Sequence, residues 1–119
     1  MSRRDVLARL RHMLDSAREA VEMAAGKSRA DLDNDRMLEL ALTHLVQIVG
    51  EAARWVPQEA RDRHADIPWT AITGLRNRLV HGYDAVDLDI LWEIVATDLP
   101  VLVEQLEQAV AREQRESAP

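Results

Sequence analysis

The chain has no cysteine and no phenylalanine, a single tyrosine and a single lysine, Lys27, among its 119 residues. Without cysteine there is no disulfide framework, no thiolate nucleophile and no thiolate zinc site, which fits a reducing compartment such as the cytoplasm. Long apolar runs are also missing: none approaches the ~18 residues that cross a bilayer. The charged start Met1-Ser2-Arg3-Arg4-Asp5 leads into alternating apolar and charged residues, not into the apolar centre of a signal peptide, so neither a membrane span nor secretion is expected. Sustained period-two alternation and internal repeats are absent, which leaves no signal for a sheet or a solenoid.

What is present is a globular balance, 47% hydrophobic and 30% charged, in a length suited to one core. The charge is unevenly placed. Residues 1–53 carry a net −1, residues 54–82 a net +2 and residues 83–119 a net −7, for −6 overall. A protein that coats nucleic acid through phosphate neutralisation is usually basic throughout, so any RNA contact here belongs to the middle segment.

Helical periodicity organises the chain. Val6, Leu10, Met13, Leu14, Ala17, Val21 and Ala24 mark a first helix between Arg4 and Ala25, with Gly26 as its terminator. Asp33 or Asn34 is placed to cap a second helix that starts near Asp35 and runs to Pro57, apolar on more than one face, with Gly50 inside it as a point of close backbone packing. Trp69 to His81 reads as a short element ended by Gly82. Asp87 is a candidate N-cap for a long final helix in which Pro100 predicts a kink or break. The expected architecture is all-α, an elongated bundle of about four to five helices, with residues 1–113 as one domain and 114–119 as a frayed tail.

One string carries chemistry. Gly74-Leu75-Arg76-Asn77-Arg78-Leu79-Val80-His81-Gly82-Tyr83 gathers two arginines, an amide, an imidazole and a phenol in ten residues. From this composition Arg-Asn-x-x-x-His is expected by chance only ~0.008 times. On a helix, Asn77, Arg78 and His81 would share a face, with Arg76 about 140° away and reaching back or serving a site completed by a second copy. Cleavage of RNA without a metal needs a base for the 2′-hydroxyl proton, an acid for the departing 5′-oxygen and fixed positive charge at phosphorus. Histidine suits the proton transfers, and arginine suits the phosphate.

The Arg76-Asn77-Arg78-Leu79-Val80-His81 string resembles the RNxxxH signature of HEPN domains, and His81-Gly82-Tyr83 extends it to the Rx4HxY form of the HepT-like toxins. Ile48-Val49-Gly50-Glu51-Ala52-Ala53, Ile67-Pro68-Trp69 and Val86-Asp87-Leu88-Asp89-Ile90-Leu91-Trp92 are similar to further segments of that family. The resemblance implies an all-α, homodimeric, metal-independent endoribonuclease toxin without a cofactor, acting on RNA. It implies catalytic roles for Arg76, Asn77 and His81. It also implies a minimal nucleotidyltransferase antitoxin that transfers AMP from ATP to Tyr83. A noncatalytic module that presents a nucleotide or substrate to such a nucleotidyltransferase is the alternative.

Competing readings stand beside several of these residues. Arg78 either steers phosphate or neutralises the acidic final segment through surface ion pairs, and Tyr83 either accepts AMP or packs its ring on the bundle. Glu51 either supports an arginine of the motif helix or is an exposed helical glutamate. His12, His44 and His64 lack metal-ligand spacing and read as core or surface residues; Trp55, Trp69 and Trp92 read as core or interface anchors.

Overall fold

The computed structural model describes residues 1–81 and 85–117. Ser2 opens α1 (Arg3–Ala24) with a capping box, its hydroxyl accepting from the Asp5 N–H while the Asp5 carboxylate accepts from the Ser2 N–H. Gly26, at φ +76°, ends the helix in the left-handed region that costs glycine nothing. The polar stretch that follows holds one helical turn, α2 (Asp31–Asn34). Asp35, not Asp33 or Asn34, then caps α3 (Arg36–Arg54), its Oδ1 accepting from the Leu38 N–H at 3.0 Å.

α1 lies along both α3 and the last helix, and the core forms where the three meet, around Leu10, Met13, Leu42, Val46, Leu91, Ile94, Leu99 and Leu106. The molecule measures 50 × 30 × 20 Å, as elongated as its helix lengths require. No helix among the described residues is long and apolar enough to cross a membrane.

Gly50 packs α3 tightly against the segment that leads into the motif. A Cβ there would lie 3.1 Å from the Ile72 carbonyl oxygen, so the missing side chain sets the separation of α3 from the next segment. Gly50→Val gains helix propensity but drives branched methyls into that backbone, and overpacking of this kind costs about 1–3 kcal/mol. A lower urea midpoint at unchanged m-value is the expected result; an unchanged midpoint would mean that the two backbones part freely.

The segment Trp69 to His81 is not one helix. It contains α5 (Trp69–Thr73) and α6 (Leu75–Leu79), joined at Gly74, after α4 (Gln58–Arg63). Val80 is extended (φ −103°, ψ 129°), and β1 (Val80–His81) pairs antiparallel with β2 (Ala85–Val86), Val80 opposite Val86 and His81 opposite Ala85. The expectation that Asn77, Arg78 and His81 share a helix face is therefore corrected. A five-residue helix has little cooperativity of its own. Two facing β-branched valines and an Asp87 N–H donating to the Leu79 carbonyl at 2.9 Å capture the chain that another helical turn would have used.

Asp87 caps α7 (Leu88–Glu93), its Oδ1 accepting from the Ile90 N–H at 3.0 Å. A π turn over Ile94–Asp98 joins α7 to α8 (Leu99–Ser117). Pro100 has no N–H and crowds the Ala96 carbonyl, so the expected break takes the form of one widened turn within a continuous rod. The helix runs on to Ser117: residues 114–117, expected to fray, continue it, and Glu116 pairs with Arg3.

Near that end of the rod lies a buried polar cluster. Glu113 is fully buried; its Oε1 accepts from His64 Nε2 at 2.8 Å and from Arg63 Nε and Nη2 at 3.0 and 2.9 Å, and its Oε2 is 3.0 Å from Arg3 Nη2. Of the two earlier readings, His64 is thus a core residue, 2% exposed.

Candidate active site

α6 divides the motif arginines between two grooves. Arg76 and Asn77 face α3 across a groove of about 600 Å3, which is also lined by His44, Gln47, Glu51 and Arg54 of α3 and by Thr73, with Gly50 in its wall. Arg76 and Asn77 are exposed, and no ion pair among the described residues engages the Arg76 guanidinium. Two residues later on the helix, about 200° round from Arg76, Arg78 points the other way. Its Nη1 donates to Asp98 Oδ2 at 2.8 Å and its Nη2 lies 3.3 Å from Glu93 Oε1, beside a separate apolar groove next to α8. The bond to Asp98, with Glu93 added, raises the guanidinium pKa further above its ordinary value and keeps the charge turned toward the acidic segment.

His81 stands at the end of β1 with its side chain 63% exposed and its Nε2 3.4 Å from Asp87 Oδ2. The same carboxylate caps α7 through its other oxygen. The Asp87 carboxylate stands beside the ring, and exposure leaves the ring open to a substrate. Short range in sequence hides this arrangement. Asp87 reads as a helix cap, and only the antiparallel pairing of β1 with β2 brings it back to His81.

Glu51 is exposed, and its ion pair is with Arg54 of its own helix, at 3.4 Å, while Arg76 lies across the groove. Tyr83, with Gly82 and Asp84, lies outside the described residues. His44 is exposed in the groove wall and His12 is exposed on α1. Trp69 is buried, its indole N–H donating to the His64 carbonyl, whereas Trp55 is 58% exposed at the end of α3. Trp92 is half-buried against the core. Among the described residues no three His, Asp or Glu side chains are grouped as a metal site would require.

α3 also carries an unpartnered face. Met37, Leu40, His44, Ile48, Glu51 and Trp55 recur at spacings of three and four, the stepping of a helix that packs on another, and Met37, Leu40 and Trp55 are at least half exposed. This face borders the groove and shares His44, Ile48 and Glu51 with it.

Comparison with known proteins finds ribonuclease relatives along most of the chain. A protein of Methanocaldococcus jannaschii named "Putative RNase" is 35% identical over 107 residues, covering 90% of this chain and 98% of that protein. Another of the same name, from Caldanaerobacter subterraneus subsp. tengcongensis, is 33% identical over 104 residues, covering 87% and 93%. The "Probable ribonuclease HepT" of Thermococcus cleftensis is 30% identical over 99 residues, covering 80% and 90%. No solved structure matches. The family model described as ribonuclease HepT-like matches residues 13–109, a stretch that includes the groove, the β1–β2 pair and Asp87, and the chain belongs to that family.

Proposed function

We propose that the protein is a metal-independent endoribonuclease, the toxin of a toxin–antitoxin pair, which works as a homodimer and is silenced by transfer of AMP to Tyr83. The observation that carries this reading is the exposed Arg76–Asn77 pair facing a groove, with an exposed imidazole, His81, oriented by Asp87 a few residues further along the chain.

In this mechanism Arg76 binds the scissile phosphate and offsets the charge that builds at phosphorus, and Asn77 orients the phosphate through its amide. One imidazole takes the 2′-hydroxyl proton, the 2′-oxygen attacks phosphorus, and the bond to the 5′-oxygen breaks as that oxygen receives a proton. The products are a 2′,3′-cyclic phosphate and a 5′-hydroxyl. His81 supplies one of these proton transfers, and its counterpart in a second copy supplies the other. The exposed apolar Met37, Leu40 and Trp55 of α3 support the second copy, because the face that carries them adjoins the groove. Glu51 acts from the groove wall by holding arginine side chains, its nearest being Arg54. Arg78 steers RNA only when phosphate replaces Asp98 and Glu93 as its partner.

Silencing follows from the position of Tyr83, two residues after His81. Attack of its phenol oxygen on the α-phosphorus of ATP, catalysed by a partner minimal nucleotidyltransferase, releases pyrophosphate and leaves an AMP ester. That ester brings bulk and negative charge to where an RNA phosphate must lie.

Two measurements test the reading together. The purified protein is expected to cut single-stranded RNA in excess EDTA, leaving 2′,3′-cyclic phosphate ends. Intact RNA from well-folded, unmodified protein would favour the noncatalytic nucleotide-presenting module. Co-expression with a neighbouring nucleotidyltransferase is expected to add AMP to wild-type protein and none to Tyr83→Phe; equal labelling of both would remove Tyr83 from the scheme.

A further inference from the structure

We propose that Arg54 is an RNA-backbone contact, so that α3 forms one wall of the RNA-binding groove and the motif helix α6 forms the other. The proposal rests on the ribonuclease reading above and adds to it a residue outside the motif string.

The chain carries −6, so RNA meets net repulsion and can be held only where positive charge is concentrated. The α3–α6 groove sets Arg54 on one wall and Arg76 on the other against a single carboxylate, Glu51. The apolar groove beside α8 has the opposite balance, with Arg78 against Asp66 and Asp98.

The arginines that follow α3 differ from Arg54 in how they are employed. Arg61 donates to the Val56 and Ala53 carbonyls and lies over the Trp69 ring, and Arg63 donates twice to Glu113; both are tied to structure. Arg54 is 65% exposed, and its ion pair with Glu51, itself 61% exposed, spans 3.4 Å. Water screens a pair of this kind so well that a phosphate can take the place of the carboxylate. Glu51 thus keeps Arg54 over the groove until RNA arrives, and competes with the RNA for it.

Gly50 lies one helical turn before Arg54 and carries no side chain, and the close approach of α3 to Ile72 at that point brings the two walls together. Gln47 and Asn77 add neutral hydrogen-bonding amides, one from each wall. The arrangement is a backbone-reading groove, with guanidinium groups on both sides and amides between them.

The test uses the full-length His81→Ala protein, which retains the groove, and follows the anisotropy of a fluorescein-labelled single-stranded RNA of roughly 15 nucleotides across a salt series. Arg54→Gln in this background is expected to weaken binding about three- to tenfold at low salt and to flatten the plot of log affinity against log salt by roughly 0.7, one phosphate contact. Arg54→Lys is expected to keep the slope, and Glu51→Gln to bind more tightly. Arg9→Gln, at an exposed position of α1, makes the same change in net charge away from the groove and serves as the reference. A slope for Arg54→Gln equal to that of Arg9→Gln overturns the proposal. So does a Glu51→Gln variant that weakens binding as much as Arg54→Gln does, since the pair would then be a brace for the groove wall. RNA binding by none of the proteins would sink the ribonuclease reading itself, and this inference with it.

Discussion

His81→Ala is expected to lower the rate of RNA cleavage by about 10²- to 10⁴-fold, the range that a positioned general acid or base supplies. In the proposed dimer the substitution removes an imidazole from both copies, which places the expected loss toward the upper end. Folding is expected to be untouched: the ring is 63% exposed, it buries nothing, and the backbone of β1 makes its pairing whatever side chain follows Val80. Asp87→Asn serves as the companion variant, because an asparagine still caps α7 but no longer carries the charge that faces the imidazole. It is expected to slow cleavage while leaving the urea midpoint in place, since the ring loses the carboxylate beside it. Single-turnover rates on one defined RNA, measured between about pH 5 and 9, decide the matter. Cleavage by His81→Ala at the wild-type rate would remove the residue from the chemistry, and an unchanged rate in Asp87→Asn would remove Asp87 as its orienting partner.

Glu113→Ala is expected to destabilise the fold by about 3–5 kcal/mol, the usual consequence of removing one side of a buried ionic cluster. This is a large fraction of the ~5–15 kcal/mol that holds a domain together. The loss arises less from the contacts deleted than from what remains. His64, 2% exposed, keeps a ring N–H without an acceptor, and the Arg63 guanidinium loses the carboxylate that its Nε and Nη2 address, keeping only exposed Glu59 at 3.8 Å. Arg3 still has Glu116. Burial by itself would push the Glu113 carboxyl up, but His64, Arg63 and Arg3 more than offset it and hold the carboxyl below its ordinary value. A carboxylate depressed in the folded state contributes stability that is present above its unfolded pKa and lost as pH falls through the folded one. The gap between wild type and Glu113→Ala is therefore expected to be widest near neutrality and to narrow below about pH 4.3. Urea unfolding at a series of pH values measures it; a constant gap across that range would show that the carboxylate charge does not matter to the cluster.

The long helices were legible because each presents enough turns for its apolar spacing to stand out. α1, α3 and the α7–α8 rod are recoverable from positions such as Leu10–Leu14–Ala17 and Leu99–Leu102–Leu106, and the Asp87 cap and the disturbance at Pro100 follow from local chemistry. The motif string was legible for a similar reason, since its residues are close in sequence. The geometry of the string was not. α5 and α6 have five residues each, too few turns for periodicity to separate two helices from one, and the strand that carries His81 is two residues long. Long-range partners were beyond reach as well. Nothing local to His64 points to Glu113, forty-nine residues away, and nothing local to Arg78 distinguishes Asp98 from other acidic residues of the same segment. Arg54 gives no signal of its own, because a single charged residue near the end of a helix is ordinary; its interest comes from the element it faces.

In the proposed mechanism one aspartate joins the scaffold to the chemistry. With Oδ1 it closes the first turn of α7, and with Oδ2 it addresses the imidazole on the neighbouring strand. Serine, threonine and asparagine can all start a helix, but none of them presents a negative oxygen to a histidine. Mutational scans scored by folding alone would therefore rate residue 87 as interchangeable, while scans scored by turnover would admit a much narrower choice. A descendant of this chain that had lost its catalytic duty could exchange that aspartate for another capping residue and leave no trace in its stability.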